Sequence, residues 1–238
     1  MPHVEFRPAW PGAGARRSTG RAMTIQLGQI APDFEQDSTR GRIRFHEWLG
    51  GSWAVLFSHP RDFTPVCTTE LGLVARLGPE WARRGVKVIG LSVDASERHA
   101  AWEADIAETQ GSVVDFPMIA DRDRSVASLY GMVHPDADPA VTVRTLFVID
   151  PARRVRLTMC YPTSAGRNFD EVLRVIDSLQ LTDAHKVVTP GNWMQGQRVI
   201  ITPSVTDEDA AKRFPRGWVT LKPYLRMVEQ PGVPGAEG

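Results

Sequence analysis

Cysteine is nearly absent: Cys67 and Cys160 are the only two in 238 residues. Two thiols cannot build a disulfide framework, so any redox role is expected to be catalytic, and the chain is read as a cytoplasmic protein of a reducing compartment. An excess of one charge is missing too. Lys and Arg number 28, as do Asp and Glu, so no strong field steers the chain toward nucleic acid or anionic membrane. Long apolar runs are lacking. The longest, "WAVLF" and "TLFVI", are strand-sized, far below the roughly 20 residues that span a bilayer. The six histidines are scattered without ligand spacing, so no metal site is expected. A C-x-x-C pair is absent as well, since Cys67 opens "CTTE", which argues against thiol–disulfide exchange of the thioredoxin type.

What is present is a regular α/β texture with irregular ends. Residues 1–23 are rich in Gly, Pro, Ala and Arg and show no usable period. They read as a disordered N-terminal extension, with a transit peptide or a true start at Met23 as alternatives. From residue 24, β-rich runs at Trp53–Ser58, Val86–Val93, "TLFVID" and "RVRLTMCY" suggest strands buried on both faces. Helical patterns lie between them: Leu71–Arg84, a stretch capped by Ser96, and "FDEVLRVIDSL", which follows Asn168 with Glu171 in a capping-box arrangement. This alternation predicts a layered α/β domain over 24–181. A smaller β-containing C-terminal domain follows over 182–228, then a flexible tail over 229–238. The pieces "VIITP" and "WVTL" look too short to bury Trp193, Trp218 and Val199–Ile201 without another surface.

The stretch "SHPRDFTPVCTTELG" holds the candidate nucleophile. Thr64 followed by Pro65 reads as an N-cap and first helical residue, which places Cys67 in the first turn. Free backbone N–H groups and the positive end of the helix dipole favour an anion there. For a cysteine the anion is a thiolate, the reactive form. Arg61 and protonated His59 are the neighbouring candidate cations. On these residues alone, a reactive Cys67 and a buried structural one both stand.

The pattern P-x-x-x-T-x-x-C, formed by Pro60, Thr64 and Cys67, resembles the active-site signature of the peroxiredoxins, and "FSHPRDFTPVCTTELG" is similar to their one-cysteine, peroxiredoxin-6-like branch. The resemblance extends through "VKVIGLSVD", "DFPMIAD", "TSAGRNFDEVLRVIDSLQLT" and "KVVTPGNW", covering about residues 25–228. It implies a thioredoxin-like fold, reduction of hydroperoxides without a cofactor, and a sulfenic acid at Cys67. It also implies that Thr64 and Arg144 donate to the reacting peroxide, that Pro60 shields the sulfur, and that Glu70 and Arg167 hold the pocket. Cys160 reads as a core residue, so the resemblance implies regeneration by an external thiol. A homodimer, built in part by the C-terminal segment, is implied as well, with higher oligomers open. A redox-switched holdase or oligomeric scaffold is the alternative on the same cysteine. The branch is sometimes credited with lipase activity at positions matching His46 and Ser52. That activity is not expected here, because Ala152 stands where an aspartate is needed and Ser52 precedes a strand instead of opening a helix.

Overall fold

The computed structural model describes residues 25–232. The expected N-terminal extension, and residues 233–238 of the expected tail, lie outside them. The elements are β1 (Glu35–Gln36), β2 (Ile43–Arg44), α1 (Phe45–Leu49), β3 (Trp53–Ser58), α2 (Pro65–Arg76), α3 (Gly78–Arg83), β4 (Val86–Ser92), α4 (Ser96–Gln110) and β5 (Met118–Ala120). They continue with α5 (Ser125–Leu129), β6 (Arg144–Ile149), β7 (Val155–Tyr161), α6 (Phe169–Ala184), β8 (Val187–Val188), β9 (Val199–Ile201), α7 (Asp207–Arg213), β10 (Val219–Lys222) and β11 (Leu225–Val228).

Five strands form the central sheet in the order β5-β4-β3-β6-β7. The β3–β4 and β4–β5 pairs are parallel, and the β3–β6 and β6–β7 pairs antiparallel. The apolar runs of β3, β4 and β6 are buried because helices cover both faces. On one face Leu71 and Val74 of α2, Trp102 and Ile106 of α4, and Val172 and Ile176 of α6 pack on Val55, Phe57, Leu146 and Val148. On the other, Phe45 and Leu49 of α1 and Val126 of α5 pack on Leu56, Ile89 and Phe147. Gly72 permits the close approach of α2 and α4, since a Cβ there would lie 2.4 Å from the Gln110 side chain.

Several expectations need correction. The predicted helical stretch over Leu71–Arg84 is divided between two helices that part at Leu77, the first of which starts at Pro65 as the Thr64-Pro65 reading expects. Ser96 lies inside α4, with Ala95 as the flanking residue and no side-chain cap. Asn168, by contrast, does cap α6, its side chain accepting from the Glu171 N–H at 3.1 Å. Strand β7 is not buried on both faces: it forms the sheet edge, and after buried Val155 its side chains from Leu157 onward alternate between half-buried and exposed. Cys160 is therefore exposed rather than core.

The C-terminal segment also differs from expectation. Its four strands form a sheet of their own in the order β10-β11-β9-β8. Val187, Trp193, Val199, Ile201, Ala210, Phe214 and Val228 are buried together, with Trp218 and Leu181 of α6 packed against them. The segment thus buries Trp193, Val199 and Ile201 within the chain. Short strands suffice because α7 and the end of α6 close the cluster. Gln230, in the expected tail, is buried and accepts a hydrogen bond from the Gly196 N–H.

Candidate active site

Cys67 lies in the first turn of α2, three residues after Thr64, which flanks the helix in extended conformation, with Pro65 as the first helical residue. The Thr64 hydroxyl makes no cap bond; it donates instead to the Arg61 carbonyl at 2.8 Å. Pro60 and Cys67 are both buried, the latter completely. The residue before the cap, Phe63, adopts φ 56°, a left-handed conformation that costs a bulky side chain on the order of 1–3 kcal/mol. Its half-exposed ring lies under the Arg98 guanidinium at 4.9 Å. The signature loop is thus held in a strained conformation just before the helix that carries Cys67.

The cation against the sulfur is Arg144, at the start of β6, not Arg61 or His59. Its Nη1 is 3.3 Å from Cys67 Sγ and donates to Glu70 Oε2 at 2.8 Å, while Nε and Nη2 donate to the Thr163 carbonyl at 3.1 and 2.6 Å. Glu70 lies three residues after Cys67, on the same side of α2. Its Oε1 accepts from Arg167 N and Nε at 2.8 and 2.9 Å, and its Oε2 from Arg167 Nη2 at 2.8 Å. Arg167 is further fixed by the Thr145 carbonyl at 2.9 Å and by the faces of Phe57 and Phe169. Burial works against ionisation of Glu70, but the hydrogen bonds and charge of Arg167, together with the charge of Arg144, hold its carboxyl below the usual range. Two buried guanidiniums face one carboxylate. The cluster therefore keeps a net positive charge beside the Cys67 sulfur.

A second buried cluster lies behind the loop. His59 Nε2 is 2.8 Å from Asp62 Oδ1, and His99 Nδ1 is 2.6 Å from Asp62 Oδ2. Burial pushes the His59 pKa down despite Asp62, so a cationic His59 beside the sulfur, as expected above, is disfavoured. Burial also opposes ionisation of Asp62, yet the two histidine bonds prevail and hold its carboxyl at about 2. His59, Asp62 and His99 bring three ligand-type atoms within 4.8 Å of one another. Asp62 joins the two histidines by the hydrogen bonds just described, and we assign no metal to them. Trp102, whose ring lies 5.3 Å from that of His59, donates to Thr68 Oγ1 beside Cys67. Asp62 and His99 escaped the sequence reading. The signal was the apolar face of α4, where His99 shares the buried side with Trp102 and Ile106.

Cys160 pairs in register with Thr145, and Tyr161 with Arg144. Alternation along β6 puts Arg144, Leu146 and Val148 on the Cys67 face, so Thr145 and Cys160 belong to the opposite face. The sheet therefore separates the two thiols. The His46 ring contacts the Ala31 carbonyl, Asp33 and Arg153.

The sequence model of the AhpC/TSA family matches residues 27–158, and that of the C-terminal domain of 1-Cys peroxiredoxin matches 178–217. The chain belongs to the peroxiredoxins. It is similar to a 1-Cys peroxiredoxin of Dictyostelium discoideum, 51% identical over 87% of this chain and 86% of that one. It is likewise similar to human peroxiredoxin-6, 49% identical over 87% of this chain and 98% of that one. Among solved structures, a peroxiredoxin 6 of Arenicola marina superposes with a TM-score of 0.82 at 46% identity, covering 88% of this chain and all of that one. A yeast mitochondrial 1-Cys peroxiredoxin, described with a thiol resolving mechanism via glutathione/thioredoxin systems, gives 0.82 at 48%, covering 87% and all. This peroxiredoxin has the thioredoxin-like fold and is a thiol-dependent peroxidase of the one-cysteine branch.

Proposed function

We propose that Cys67 is the peroxidatic thiol and that Arg144, Thr64 and Pro60 form its reaction pocket. The observation that carries this is the 3.3 Å contact of Arg144 Nη1 with Cys67 Sγ inside a cluster whose charge an anionic sulfur balances. The thiolate attacks one oxygen of a hydroperoxide, forming an S–O bond as the O–O bond breaks. The other oxygen departs as alkoxide or hydroxide and takes up a proton. Arg144 donates to the oxygen on which charge develops. Thr64 becomes the hydroxyl donor when its hydrogen turns from the Arg61 carbonyl to the peroxide, and buried Pro60 keeps water from the sulfur. Glu70 and Arg167 hold Arg144 in register, and His59, neutral and tied to Asp62, steadies the loop.

The Cys67 sulfenic acid then condenses with an external thiol, releasing water, and a second thiol reduces the mixed disulfide. Glutathione or a thioredoxin-type protein has the required chemistry. Because Cys67 is fully buried, no thiol reaches it until the start of α2 opens, and strained Phe63 marks where the chain yields. A homodimer and a cytoplasmic location complete the proposal: β10 and the turn after it leave Val219, Leu221 and Tyr224 exposed for a second copy to cover, and both cysteines are free. Cys67→Ser is expected to abolish peroxide consumption with excess thiol, and Cys160→Ser to preserve it. Loss of turnover in the Cys160 variant would make that residue the resolving thiol and refute the one-cysteine cycle.

A further inference from the structure

The basic run "FPRGW" reads in isolation as solvated surface, but the fold makes it one wall of a cavity of about 560 Å³ in the C-terminal segment. Lys186, Lys212, Arg213 and Arg216 line this space with His185, and Glu229 is the one acidic residue among them. Glu229 is already bound to Arg198 at 2.6 Å. In a chain of zero net charge, that is a local concentration of positive charge. Phe214, Val228 and Pro231 supply apolar walls, and Gln230 is a buried polar lining residue whose carbonyl oxygen is occupied by the Gly196 N–H.

Part of this charge has a local explanation. Lys212 and Arg213 end α7, where cations complement the helix dipole, and Lys212 is paired with Glu208 at 3.0 Å. That account does not extend to Lys186, which lies beyond the end of α6 and against the same space. Nor does helix capping require an apolar-walled cavity of the size that takes a small ligand. Arg216 has contacts of its own, so the charge offered to a ligand falls chiefly to Lys186 and Arg213. None of the lining residues belongs to the Cys67 site.

We propose that this cavity binds a small organic anion, a carboxylate or sulfonate carried on a compact apolar body, at a site separate from the peroxidase centre. The head group lies against Lys186 and Arg213 and the apolar body against Phe214 and Val228.

The test uses the full chain and 8-anilinonaphthalene-1-sulfonate as the fluorescent probe, with decanoate and 1-decanol as competitors. A single saturable site per subunit is expected, displaced by decanoate but not by the uncharged alcohol, and weakened as salt rises from about 20 mM to about 500 mM. The double variant Lys186→Gln, Arg213→Gln is expected to bind the dye about tenfold more weakly, which is about 1.4 kcal/mol, with peroxidase turnover unchanged. Displacement by 1-decanol as effective as by decanoate would overturn the proposal by showing an apolar groove. Equal dye affinity in variant and wild type would overturn it by placing the dye elsewhere.

Discussion

Replacing Glu70 with Gln tests whether the cluster beneath the sulfur works as a charged unit. The substitution keeps the shape and removes one charge. In the native protein Oε2 accepts from both Arg144 Nη1 and Arg167 Nη2 at 2.8 Å; an amide nitrogen in that place would oppose two donors with a third. Removing one partner of a buried ion pair costs about 3–5 kcal/mol, because the remaining charges stay buried. At about 2–4 °C per kcal/mol for a chain of this size, the melting temperature should fall on the order of 6–20 °C. The pH dependence gives an independent signature. Glu70 has a folded-state pKa below its ordinary 4.5, so its contribution is fully present above the unfolded value and is lost as pH falls through the depressed folded one. Wild type should therefore show an acid limb of stability that Glu70→Gln lacks in this component. Denaturant melts across pH 3 to pH 7, at steps of about 0.5, would measure it, and stopped-flow reaction with peroxide should show a slower variant as Arg144 loses its anchor. A variant within about 1 kcal/mol of wild type, with the same acid limb and an unchanged rate, would refute the reasoning.

The fork of Arg144 makes a sharper kinetic prediction. Arg144→Lys keeps the charge but not the bond to the sulfur, Glu70 and Thr163 together, so the second-order rate with peroxide should fall about 10²–10³-fold; a near-normal rate would remove Arg144 from the reaction. Asp62 holds a carboxyl at about 2 instead of 3.8, worth about 2 kcal/mol at neutral pH and lost as pH falls from the ordinary value toward the folded one. Asp62→Asn should lose at least that at pH 7 and become less acid-sensitive; an unchanged stability profile would contradict the hydrogen bonds to His59 and His99. For the dimer, Leu221→Glu with Tyr224→Glu should shift sedimentation to the monomer, and an unchanged dimer would show that β10 is not part of its interface.

How far the fold and the site could be read in advance follows from the range of the interactions. Strands β3, β4 and β6 announced themselves because a fully buried strand is a continuous apolar run, a property of adjacent residues. The Asn168 cap and the placement of Cys67 after Thr64 and Pro65 were readable for the same reason, as each depends on three or four neighbours. Strand β7 misled because "RVRLTMCY" has the composition of a buried strand, and only its place at the edge of the sheet, a property of the whole topology, exposes Cys160. The C-terminal cluster failed similarly: each strand is too short alone, and what closes it is α7 and the end of α6. Within the site, Glu70 and Arg144 are 74 positions apart and Glu70 and Arg167 are 97 apart, so no local pattern joins them. Their roles were available only through resemblance to the family, whereas Asp62 emerged only from its burial and geometry and His99 had no more signal than its place on the apolar face of α4. Chemistry that depends on long-range charge balance is therefore the part that requires the structure. The thiol can be located from the helix start, but its setting becomes intelligible once two arginines, one glutamate and one sulfur are seen to share a buried space.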